Sequence, residues 1–135
     1  YSREDFLRIA NFLQVPSYIS LMTALSVYGV TTQVQQDYFE SVSLRQSVSY
    51  SVKGKIFDFH KVKKLYYFGF QKRNGVFIAS KEKALVDAVY FWSFGRYPLD
   101  WASLDLDAIN KEEVLRMSEL FPKRTKNVLK KICKT

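Results

Sequence analysis

Residues 53–75 read KGKIFDFHKVKKLYYFGFQKRNG. Seven lysines and arginines stand there against one acid, Asp58, with aromatic residues threaded between them. Two turn signals bound the stretch. Lys53-Gly54-Lys55 is one, and Arg73-Asn74-Gly75 is the stronger, because Asn-Gly suits the positive φ angles of a tight hairpin. Between and after them, IFDFH, LYYFGF and VFIA have the aromatic and β-branched content of short strands. Upstream, Phe39, Val42, Leu44, Val48, Tyr50 and Val52 are spaced by serines and other polar groups, the pattern of strands with one wet face. The connections are too short for helical crossovers, so four or five mostly antiparallel strands are expected.

Helical patterns flank this middle. REDFLRIANFLQ (3–14) places Phe6, Ile9 or Ala10, and Leu13 at helical spacing, and Pro16 ends it. YISLMTALSVYG (18–29) reads as a second helix capped by Ser17 and stopped by Gly29. Ser80 caps a third, in which Ala84, Leu85, Ala88, Val89 and Trp92 form a broad apolar face beside Val86, Tyr90 and Phe91. Such a helix belongs at the centre, packed on the sheet. Gly95 and Pro98 break it. Asn110 and Glu113 have capping-box spacing before KEEVLRMSELF. Pro122 ends that helix, and a last one near 124–134 buries Val128, Leu129 and Ile132. The expected fold is α+β: a small, mostly antiparallel sheet flanked by N-terminal and C-terminal helices, in a single domain spanning 1–135.

The totals narrow the function. At 135 residues and 47% apolar composition the chain is long and hydrophobic enough to fold around one core. No apolar run approaches the roughly 20 residues of a membrane-spanning helix, so no membrane partner is expected. The single cysteine, Cys133, forms no intrachain disulfide, and a reducing cytoplasm is the natural setting. The absence of a start methionine or signal pattern reads as a piece of a longer protein.

Catalytic patterns are sparse. His60 is the only histidine, and with one cysteine it excludes a zinc cage of nitrogen and sulfur ligands. Ser80-Lys-Glu-Lys83 has the S-x-x-K spacing of a serine acylase, but the serine is explained by helix capping. Asp37, Glu40, Asp58 and Lys61 raise a metal-dependent nuclease as an alternative, yet Asp58-Phe59-His60 gives D-x-H where such enzymes have (D/E)-x-K. No catalytic residue, metal or cofactor is assigned, and a non-enzymatic protein is expected. Asp87, inside ALVDAVYF, needs a partner if buried, and Lys83 lies one turn earlier on the same side.

Charge is the remaining signal. The net charge of +8 is concentrated in residues 51–75, at +6, and 111–135, at +5. Lys53, Lys55, Lys61, Lys63, Lys64, Lys72 and Arg73 form the first candidate nucleic-acid-binding cluster. Lys123, Arg124, Lys126, Lys130 and Lys131, with Lys134 beyond them, form the second. Clustered cations gain affinity for phosphates by releasing counterions. Tyr50, Tyr66 and Tyr67 are candidates to stack on bases if exposed. Phe57, Phe59, Phe68 and Phe70 fit a sheet core.

PSYISLMTALSVYG (16–29), a strand-rich middle, then FIASKEKALVDAVYF (77–91) resembles the AbiEi-type antitoxin family. Its members carry P-S-Y-(I/L)-S-L-x-x-A-L-x-x-Y-G followed later by E-K-A-L-x-D. Pro16, Ser17, Tyr18, Ser20, Ala24, Leu25, Tyr28 and Gly29 match the first motif, and Glu82, Lys83, Ala84, Leu85 and Asp87 the second. Met22 and Thr23 stand where Glu-Ser is common. The resemblance implies the antitoxin of a type IV abortive-infection pair, a transcriptional regulator that binds double-stranded DNA at repeats in its own promoter. It also implies a nucleotidyltransferase-like toxin as functional partner, without a stable complex. In this family a winged helix-turn-helix module precedes the matching segment, and the resemblance implies that such a module is not within these 135 residues. An interaction domain that carries antitoxin activity without binding DNA is the alternative.

Overall fold

In the computed structural model, which describes residues 1–134, the two expected turns are tight hairpins. Strands β3 (Val48–Val52) and β4 (Lys55–Lys61) are joined by Lys53 and Gly54, both at positive φ. Strands β5 (Phe70–Arg73) and β6 (Val76–Ala79) are joined in the same way by Asn74 and Gly75. Positive φ at both central residues matches the right-handed twist of the flanking strands.

The sheet is larger and more mixed than the sequence suggests. With β1 (Ser17–Ile19) and β2 (Tyr38–Ser43) it has six strands in the order β3-β4-β2-β1-β6-β5. The β1–β2, β3–β4 and β5–β6 pairs are antiparallel, whereas β2–β4 and β1–β6 are parallel. The sixth strand lies where a helix was expected. Helix α2 begins only at Leu21 and runs to Val27, with Ser20 rather than Ser17 at its N-cap. Ser17 Oγ instead donates to the Gln14 carbonyl. Tyr18 and Ser20 are drawn into a buried network described below, and those contacts override local helix preference. Gly29, at φ 73°, ends the helix region as expected.

Strand β2 is central and buried along nearly its whole length, so the one-wet-face reading fails there: Glu40, Ser41 and Ser43 are inside. Alternation survives in the edge strand β3 and in β4, where Phe57 and Phe59 are buried between less buried neighbours. Helix α1 (Arg3–Leu13), started by a Ser2–Asp5 capping box, covers one face of the sheet. Its Phe6 stacks on Phe39 at 5.8 Å, and Phe39 stacks on Phe57 at 5.3 Å.

Helix α3 (Lys81–Ser93) lies across the other face, capped by Ser80 Oγ accepting from Lys83 N. It is the central helix: α2 packs on it, as do α4 (Lys111–Ser118) and α5 (Lys123–Ile132). Ala84, Leu85, Val86, Ala88, Val89 and Phe91 are buried, but Trp92 is 37% exposed and meets Trp101 edge-on. Asn110 caps α4 by accepting from Glu113 N. The reciprocal half of the expected capping box is replaced, since Asn110 N donates to Glu82 and Glu113 pairs with Arg116. Of the apolar residues expected to be buried in α5, Leu129 is buried and Val128 and Ile132 are half-buried. Among the described residues no helix is long and apolar enough to cross a membrane.

Candidate functional site

The two motifs at 16–29 and 77–91 meet in the core. Lys83 and Asp87, one helical turn apart, are both fully buried and paired at 2.7 Å. Tyr18 Oη and Ser20 Oγ donate to the other carboxylate oxygen of Asp87, at 2.9 and 2.8 Å. Lys83 Nζ also donates to Tyr18 Oη and to the Tyr66 carbonyl. Phe68, 4.6 Å from the ammonium, offers its ring face. Every donor of Lys83 is used, and both Asp87 oxygens are occupied. Burial pushes the Lys83 ammonium below its ordinary value, against the pull of Asp87, and pushes the Tyr18 phenol well up. Gly69 is part of the design: a Cβ there would stand 2.7 Å from Lys83 Cγ. The expected Lys83–Asp87 pair is present; its additional partners Tyr18, Ser20 and the Tyr66 carbonyl were not legible from helical spacing.

The candidate phosphate-binding residues divide into three groups. Lys53 and Lys55 belong to the β3–β4 end of the sheet, where Lys53 lies over Tyr1 and Lys55 pairs with Asp37 at 2.5 Å. Lys72 and Arg73 are on β5, at the opposite edge, over Phe77 and Tyr28. The third group joins the two charged segments. Tyr66, in the turn Lys64–Tyr66, stacks on Phe121 at 4.5 Å, just ahead of α5. Exposed Lys63 and Lys64 lie within three residues of Tyr66 in the chain, and exposed Lys123 and Arg124, the latter over Phe94, within three residues of Phe121. Lys61 ends β4 on the way to this turn. Lys126 pairs with Glu119, while Lys130 and Lys131 are exposed on the last turn of α5.

The tyrosines do not offer free stacking faces. Tyr66 is buried against Phe121 and Tyr90, Tyr50 is half-buried edge-on to Phe59, and Tyr67 is half-buried beside Tyr18. Phe57 and Phe59 are core residues, as expected, and Phe68 and Phe70 pack against the core.

The nuclease candidates are not one site: Asp37 is taken by Lys55, and Lys61 is exposed at the end of β4. Two of them, however, meet the sole histidine. The parallel β2–β4 register sets Glu40 beside Asp58, and His60 follows two residues on, hence on the same face. The three offer ligand atoms within 4.8 Å of one another. They line a cleft of about 770 Å³ with Met22, Gln33, Tyr38, Arg96 and Tyr97. Tyr97 donates to Glu40 at 2.7 Å; Tyr38 and Ser49 donate to Asp58 at 2.5 and 2.8 Å. Burial lifts the Glu40 carboxyl to about 7, partly offset by Tyr97 and His60. Burial would raise Asp58 too, but nearby His60 and the Tyr38 and Ser49 hydroxyls outweigh it and hold that carboxyl at about 2. Asp58-x-His60 on one strand face was readable from sequence. Glu40 was a candidate acid in the sequence, but only the strand order sets it beside them, and Tyr97, in the loop after α3, was not legible.

No protein-family model matches the chain, and no curated protein matches it in sequence.

Proposed function

We propose that this domain is a non-catalytic, antitoxin-type regulator that holds the phosphate backbone of duplex DNA where the Lys63–Tyr66 turn meets α5. It also counters a nucleotidyltransferase-like toxin without a stable complex, as the resemblance at 16–29 and 77–91 implies. The observation that carries the reading is the start of α5. Its N-cap is Pro122, which offers no side-chain cap, and its first turn holds Lys123, Arg124 and Lys126 with no acid. Cations there oppose the helix dipole, so they do not serve the helix itself. Uncapped amides and the positive helix end favour an anion, and Lys63 and Lys64 extend the same charge across the Tyr66–Phe121 stack. Among the described residues, Lys63, Lys64, Lys123 and Arg124 form no ion pair with an acidic side chain.

The test is a titration against promoter-like duplex DNA at several salt concentrations. Affinity is expected to fall steeply with salt, and K63E/K64E and K123E/R124E are expected to flatten the slope by about two phosphate contacts each. K72E/R73E, at the far edge, is expected to change it less. Salt-independent binding, or none, would defeat the proposal.

A further inference from the structure

We propose that Glu40, Asp58 and His60 bind one first-row divalent cation, of the kind represented by Zn²⁺ and Mn²⁺. Donor chemistry is the first ground. One imidazole and two carboxylates suit such ions, whereas Mg²⁺ and Ca²⁺ prefer sites built wholly of oxygen. Two carboxylates also neutralise a divalent charge.

Geometry is the second. Donors bound at roughly 2.0–2.2 Å to a common ion stand about 3–4.4 Å apart. The donors here lie within 4.8 Å of one another, so small side-chain rotations close the set. Two adjacent parallel strands hold Glu40 and Asp58 in register, so the backbone fixes their spacing.

The third ground is the histidine itself. His60 Nε2 is buried and has no hydrogen-bond partner in the protein. Asp58 Oδ2 lies 3.2 Å away, an ion-pair contact when the imidazole is protonated. A buried imidazole nitrogen without a partner is costly, and a shared cation would satisfy it together with the carboxylate. The surrounding hydroxyls complete the pattern. Tyr97 orients Glu40, and Tyr38 and Ser49 orient Asp58, as outer partners do around metal ligands. Phe91 packs on the imidazole ring at 5.0 Å and restricts its rotation. The cleft leaves one side of the cation open to solvent or to a further ligand.

The site is independent of the basic ridge, so the two tests stand apart. Chelator-treated protein carrying Cys133→Ser, which removes the competing thiol, is titrated with Zn²⁺ and with Mn²⁺. One ion per chain is expected, with a higher melting temperature in its presence. Asp58→Asn and His60→Ala, checked for folding by circular dichroism, are expected to weaken binding by about tenfold or more. Because His60 is the only histidine, its ring ¹⁵N resonances report on the unsubstituted site without any variant. Saturating Zn²⁺ is expected to shift one ring nitrogen. Ring signals unmoved by Zn²⁺, absence of saturable binding, or binding untouched by both substitutions would overturn the proposal.

Discussion

Two polar clusters lie under α3 on the same face of the sheet, and they differ in how completely they are satisfied. Lys83, Asp87, Tyr18 and Ser20 close on themselves: each donor finds an acceptor, and both charged side chains are fully buried. Glu40, Asp58 and His60, reached through Tyr97 and Tyr38, border a cleft and leave a buried nitrogen without a protein partner. A closed network of buried charges fixes how elements pack. An open one retains capacity for a ligand. The residue types alone do not separate the two cases, since each combines acids with a basic group.

The closed cluster gives the largest expected effect. Asp87→Ala leaves a buried ammonium without its counter-ion and is expected to cost about 3–5 kcal/mol in urea denaturation. Replacing both members together, Lys83→Met with Asp87→Leu, is expected to recover most of that loss, because no lone charge remains. A cost below about 1 kcal/mol for Asp87→Ala would remove the ion pair from its place as the tie between α3 and β1.

At the open cluster the sign reverses. The folded-state carboxyl of Glu40 sits at about 7, above its ordinary value of 4.5, because burial penalises the charged form. Its favourable contribution is therefore complete below about pH 4.5 and lost as pH rises through 7. Glu40→Gln in chelator is expected to be more stable than the parent at pH 8, by an amount on the order of 3 kcal/mol, and indistinguishable near pH 4.5. Melting curves at the two pH values decide it; a destabilised variant at pH 8 would mean that Glu40 is held in place by its charge.

The smallest contrast lies in single hydroxyls. Tyr18→Phe removes a group that accepts from Lys83 and donates to Asp87, and is expected to cost about 1–3 kcal/mol. Ser49→Ala, beside solvent-exposed Asp58 Oδ1 contacts on an edge strand, is expected to cost under about 1 kcal/mol. Equal costs would erase the distinction between closed and open clusters.

What the sequence by itself determined was local. Asn74-Gly75 and Lys53-Gly54 demanded positive φ and so fixed two hairpins. Ser80 and Asn110 marked helix starts through side-chain caps, and Gly29 marked a helix end through its positive φ. The i,i+4 spacing of Lys83 and Asp87 was enough to pair them. Where long-range partners compete with local preference, the tertiary structure decided. Tyr18 and Ser20 left a helical pattern for Asp87, adding the sixth strand. The parallel β2–β4 pairing, invisible in connection lengths because β3 lies on the far side of β4, put Glu40 against Asp58 and His60. The same holds for the basic segments, where one aromatic stack, Tyr66 on Phe121, connects the two, while Lys53 and Lys55 lie toward one end of the sheet and Lys72 and Arg73 on its opposite edge strand. Charge, periodicity and turn chemistry are properties of neighbours in the chain. Which strands lie side by side depends on how the whole core closes, and the site follows from that.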